Sequence, residues 1–186
     1  MTTFNRRDFL RTSLIGGVAA SCFSPVNAIG VPGIRDNNSA RVALTTGDNR
    51  ADLAFRGLQP FSKEIRQAIG SRRVVLKPNN VGTSLPLCAT HVDTLEGILE
   101  FLKSIKKLGN VIIAESAGNA STLEGFDNYG YFRLINKYPV KLVDLDQEAF
   151  DMLYVFDEKD FKPHAVRMSR LLLDPDSYIV SVARTK

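Results

Sequence analysis

The chain is poor in the residues that build metal centres and covalent cross-links. Its 186 residues hold two cysteines, two histidines and no tryptophan. The cysteines are Cys22, near the N-terminus, and Cys88. Two such distant thiols exclude a four-cysteine iron–sulfur or structural zinc site within this sequence. His91 and His164 have no metal-ligand spacing, which argues against a zinc enzyme. No serine stands in a nucleophile-elbow context. Charge of one sign is also scarce. Lysine and arginine number 24 and aspartate and glutamate 20, a formal charge of +4. Without residues 1–28, which contain Arg6, Arg7, Arg11 and Asp8, 21 basic residues face 19 acidic ones, and the excess falls to +2. An excess that small does not imply nucleic acid as a partner. Long apolar runs are missing too. Leu14 to Phe23 is short, diluted by Gly16 and Gly17 and followed by Pro25, so no permanent membrane span is expected.

What the N-terminus does have is a paired-arginine start. Asn5-Arg6-Arg7-Asp8-Phe9-Leu10-Arg11 precedes the mild apolar stretch, and Val26-Asn27-Ala28 supplies a small-x-small cleavage pattern. The three parts read as a twin-arginine signal peptide over residues 1–28, cleaved after Ala28. The expected location is therefore periplasmic or otherwise extracytoplasmic, and the expected partner is the twin-arginine export machinery. A disordered basic N-terminus and a lipid anchor at Cys22 are the alternative readings. Residues 29–40, rich in Gly, Pro, Asn and Ser, read as a linker. The remaining stretch, 41–186, is long enough for one domain with a core.

Within it, short apolar runs alternate with helical patterns. Strands are expected at Arg41–Thr45, Arg73–Lys77, Val111–Glu115, Val140–Asp144 and Tyr178–Ala183. Helix is expected from Arg50 to Gly70, restarted at Pro60. A stronger helix begins at Thr90, the expected N-cap. Val92, Leu95, Ile98, Leu99, Leu102 and Ile105 share one of its faces, and Gly109 is expected to close it. Ser121 with Glu124 makes a capping-box pattern before a helical region interrupted at Gly125 and Gly130. Met152–Phe156 and Ala165–Ser169 can pair as a hairpin, and Asp174-Pro175-Asp176 reads as a turn. The fold class is α/β: a doubly wound, mostly parallel sheet covered by helices on both faces. Because the chain stops directly after a strand, at Arg184-Thr185-Lys186, a C-terminally truncated domain is expected.

In open parallel sheets, ligands bind beyond the carboxyl ends of the strands. Polar residues gather there. Lys77 ends the second strand and is followed by Pro78, Asn79 and Asn80. Glu115 and Ser116 end the third, Asp144 the fourth, and Lys186 follows the last. Thr90 and His91 open the long helix on the same edge, where free amides favour anions. A small anionic ligand fits this set. Lys77 and Lys186 would supply charge, Asn79 and Asn80 orientation, and Glu115 a base or cation ligand. Each residue also has a structural reading. Lys77 and Glu115 can simply pair, the asparagines can serve the turn, and His91 can be a solvated helix residue. Asp144 and Asp146 alternate about Leu145, so a regular strand would send only one into a site. Glu115 with either aspartate could hold a magnesium ion. The loop from Ser116 to Ser121 matches no phosphate-binding fingerprint.

Several stretches together resemble a known family. Val74-Val-Leu-Lys-Pro-Asn79, Thr90-His91, Ile113-Ala-Glu-Ser116, Gly130-Tyr131 and Val143-Asp-Leu-Asp146 are similar to the N-terminal part of the uncharacterised domain family 362 (domain of unknown function 362). The resemblance runs from about residue 40 to the end. Relatives typically continue past a strand with Lys-Thr-His, whereas this chain ends on Lys186. Many relatives carry ferredoxin-like iron–sulfur modules. The resemblance therefore implies a redox-associated setting, with any cluster held by a missing C-terminal part or a partner and no cofactor held by this chain. Three functional readings are open. The chain is an exported ligand-binding domain, a non-catalytic accessory or partner-binding domain of an exported redox complex, or an inactive fragment.

Overall fold

The computed structural model describes residues 40–118 and 120–184. The chain divides at Arg41 into two units, and the fold is that of the second, Val42–Lys186. The signal residues Arg6, Arg7 and Ala28, the lipid-anchor candidate Cys22, nearly all of the linker, and Lys186 lie outside the described residues.

Among the described residues six strands are ordered along the chain: β1 (Arg73–Pro78), β2 (Val111–Glu115), β3 (Val140–Asp144), β4 (Phe150–Phe156), β5 (Pro163–Ser169) and β6 (Ser177–Val182). Six α-helices accompany them, besides two short 3-10 turns at Gln59–Phe61 and Pro86–Cys88: α1 (Arg50–Leu58), α2 (Ser62–Ile69), α3 (Val92–Ser104), α4 (Thr122–Asn128), α5 (Phe132–Lys137) and α6 (Arg170–Leu173). Strands β3, β2, β1 and β6 form a parallel sheet in that order, while β4 and β5 pair antiparallel as a separate hairpin. The expected α/β class with a mostly parallel sheet is therefore the class observed.

The central strands are apolar on both faces because both faces are covered. Val74 and Leu76 of β1 join Val111 and Ile113 of β2 in the larger core, against α3 and the helices around it. Val75, Ile112 and Ala114 point the other way, toward Leu145 and Leu171. The two layers are unequal. Helices α1 to α5 all contribute to the first core, whereas the second is roofed by the four-residue α6. Gly97 lets α1 lie close on α3, since a Cβ there would stand 2.1 Å from the carbonyl oxygen of Ala51.

Several local expectations are corrected. Arg41–Thr45 is not a strand, and Val42 and Leu44 are 86% and 90% exposed. Thr45 and Thr46 are tied to α1 instead: Thr45 Oγ1 donates to the Leu53 carbonyl and the Arg56 guanidinium to that of Thr46. The N-cap of α3 is His91, whose Nδ1 accepts from the Asp93 amide. Thr90 cannot cap because its hydroxyl is engaged elsewhere. The helix closes at Lys106, in the left-handed region with φ 60°, rather than at Gly109. The Lys107 amide reaching back to the Leu102 carbonyl completes the closing turn.

Ser121 caps α4 by accepting from the Glu124 amide, as its spacing predicts. Against expectation, α4 runs unbroken through Gly125, and the helical region breaks only at Gly130, with φ 71°. The hairpin pairs from Phe150 opposite Ser169 to Phe156 opposite Pro163. Asp174 turns the chain into β6, its side chain accepting from the Asp176 amide.

Candidate functional site

The expected single rim of polar residues is divided in two by the sheet. One cleft, of about 180 Å³, lies at the ends of β1 and β6 and is lined by Arg50, Thr90, His91, Thr94, Ala183 and Arg184. The other, of about 270 Å³, lies beyond β1 and β2 under the base of the hairpin. Lys77, Glu115, Ser116, Asp146, Phe150 and Arg167 are among its lining residues.

Thr90 builds the first cleft. Its buried hydroxyl accepts from the Asn79 amide at 2.9 Å and donates to the Val182 carbonyl at 2.5 Å, so it staples β1 to β6 just past their ends. Its own carbonyl accepts from the Tyr131 hydroxyl at 2.6 Å. Burial pushes the Tyr131 phenol well above its ordinary value of 10.0, and the Glu115 charge adds to the effect. Because the Thr90 hydroxyl proton is committed to the Val182 carbonyl, other groups must donate to an anion here. The guanidinium groups of Arg50 and Arg184 are exposed and unpaired among the described residues. They stand beside the N-terminus of the 13-residue α3, where the helix dipole favours an anion although His91 Nδ1 already caps the Asp93 amide. The position is a topological switch point. From β1 the chain proceeds to β2 on one side, while β6 joins β1 on the other.

The second cleft is floored by an ion pair. Lys77 Nζ lies 2.7 Å from Glu115 Oε1, which also accepts from the Ser116 amide at 2.9 Å. Glu115 is only 3% exposed, and its second oxygen, Oε2, has no partner among the described residues. Above this floor the Ser116 hydroxyl reaches both carboxylate oxygens of Asp146, at 2.9 and 2.8 Å. Arg167, across the cleft, stacks on the Phe150 ring with its guanidinium carbon 3.9 Å from the centroid.

The structure separates the candidates from sequence. Lys77, Glu115 and Ser116 come together in the second cleft, and Thr90 and His91 stand at the first. Asp144 lines neither: its carboxylate accepts from the Asp146 amide at 3.0 Å and makes the turn that carries Asp146 into the second cleft. Asn79 also lines neither, its side chain donating to the Cys88 carbonyl at 3.1 Å. Asn80 is 1% exposed, and both polar atoms of its amide lack partners among the described residues. It packs against Gly125, where a Cβ would come within 2.4 Å of its Nδ2. Lys186 lies outside the described residues. Arg50, Arg184, Phe150 and Arg167 were not legible as site residues, because long-range packing alone brings them to the clefts.

Cys88 is the one cysteine among the described residues. No group of three or more His, Cys, Asp or Glu side chains converges among them in a way that would hold a metal. These residues do not fit an iron–sulfur cluster. No helix among them is long and apolar enough to cross a membrane.

No curated protein matches the chain. Residues 74–186, more than half of it, match the model of a domain of unknown function, DUF362. This span begins one residue into β1 and takes in the sheet, the second cleft and all of the first except Arg50, and by it the chain belongs to the DUF362 family.

Proposed function

We propose that this domain binds a small anion in the crevice between the ends of β1 and β6. The observation that carries the reading is the pair of unpaired guanidinium groups, Arg50 and Arg184, in one cleft with the N-terminus of α3. Positive charge that serves no internal partner, beside the positive end of a helix dipole, suits a phosphate or carboxylate. Titration of the full chain with inorganic phosphate tests this. Saturable binding is expected, and Arg50→Gln and Arg184→Gln should each weaken it about tenfold. Failure to saturate in the millimolar range, or indifference to both substitutions, would refute it.

A second reading, an accessory domain that docks a partner, is supported by the hairpin. Tyr154 and Phe156 are 69% and 71% exposed, and Met152, Leu153 and Val155 are exposed beside them. We place both readings in an exported protein of a redox-associated setting, on the strength of the paired-arginine N-terminus and the family resemblance. Fractionation of cells making the tagged full chain addresses export and docking together. Replacing Arg6 and Arg7 with lysine should retain the protein in the cytoplasm. Phe156→Asp should abolish any stoichiometric partner.

A further inference from the structure

The second cleft differs from the first in its charge. Its four ionic groups sum to zero: Lys77 and Arg167 are positive, Glu115 and Asp146 negative. Lys77 and Glu115 neutralise one another in the floor. Arg167 has the Phe150 ring beneath it and no carboxylate partner among the described residues. The Asp146 carboxylate has the Ser116 hydroxyl and, among the described residues, no cation. The two charges that remain are therefore of opposite sign, stand in one cleft and do not pair with each other. Leu145, Met168 and Leu172 complete the walls with apolar surface.

A simple anion would meet Arg167 but also two carboxylates, and a simple cation would meet Asp146 but also two cationic side chains. Like-charge juxtaposition of this kind rejects the wrong partner. The ligand that satisfies every wall carries both signs and a short apolar body. We infer that this cleft binds a small zwitterion of the amino-acid class, its carboxylate on Arg167, its ammonium on Asp146, and an aliphatic side chain against Leu145, Met168 and Leu172. The buried Glu115 supports the polarity: Oε2 has no donor among the described residues, so added positive charge on that side of the cleft is favoured. A volume of about 270 Å³ suits a ligand of that size.

The inference does not depend on the anion crevice at β6, and its test is separate. The full chain is titrated with leucine, with 4-methylpentanoate, which lacks the ammonium group, and with leucine amide, which lacks the carboxylate. Binding is read by chemical-shift perturbation. Leucine should saturate, and each single-charge analogue should bind at least about tenfold more weakly. Arg167→Gln should erase the preference over leucine amide, and Asp146→Asn the preference over 4-methylpentanoate. Both residues are exposed, so circular dichroism should show both variants folded. Equal binding of the three probes overturns the inference. So does absence of saturation by leucine in the millimolar range, or retention of both preferences in the folded variants.

Discussion

At the scale of the residue, the Lys77–Glu115 pair decides how the sheet end is held. Glu115 is almost wholly buried, and a buried carboxylate without a cation is costly. The Lys77 side chain is 36% exposed, so water screens part of the interaction. Lys77→Met should therefore destabilise by about 2 kcal/mol, near the middle of the range for hydrogen bonds to charged groups. Adding Glu115→Gln should recover much of that loss, because the stranded charge is then gone. Urea unfolding of the single and double variants checks both statements. Additive losses would mean that the two side chains act independently. The sequence already offered this pairing as one of two readings of Lys77, since adjacent strand ends of opposite sign can be seen without coordinates. The sequence could not show that Asp146 rather than Asp144 enters the cleft. That depends on the strand ending at Asp144 and on its side chain turning the chain by accepting the Asp146 amide.

At the scale of the element, legibility within the parallel sheet followed burial. Arg73–Lys77 and Val111–Glu115 are continuous apolar runs because both faces of the sheet are covered there, and both are strands within a residue of the expected bounds. Val140–Asp144 has its expected bounds, whereas the two hairpin strands, largely exposed, each begin two residues earlier than expected. Arg41–Thr45 had the same local pattern but finds no sheet edge, and hydrogen bonds from Thr45 and to Thr46 fasten its end to α1. Helix capping was half legible. Ser121 behaves as its spacing predicts, whereas Thr90 is drawn away to the ends of β1 and β6 and leaves the cap to His91. The closest helix contact was hidden altogether, since a glycine within a helical pattern says nothing about its neighbour. Gly97→Ala should force α1 off α3 and destabilise by about 2 kcal/mol, within the range for overpacked contacts. A denaturant midpoint unchanged within error would show that α1 yields freely.

At the scale of the whole molecule, the phenols set the alkaline limit. Burial raises Tyr129, Tyr131 and Tyr138, the last to about 12, with Glu100 also raising it through a hydrogen bond. A phenol whose folded value lies above its unfolded value of 10.0 holds its proton longer in the native state. The stability it contributes is complete below pH 10 and is lost as pH climbs through the folded value. Stability should therefore fall steeply in the alkaline range. Tyr131→Phe should reduce that slope by about 1.4 kcal/mol per pH unit, read from urea midpoints across the range. An unaltered slope would exclude Tyr131 as a contributor.

The sheet's connectivity also governs how the molecule comes into being. Thr90 and Val182 are tied together across 92 positions, and β1 receives β6 as its second neighbour only after β2, β3 and the hairpin have been made. A nascent chain leaving the ribosome thus carries a half-built layer, with one side of its central strand bare, until Ser177–Val182 emerges. Any translational pause or premature stop before that point releases a polypeptide primed to aggregate through that open side.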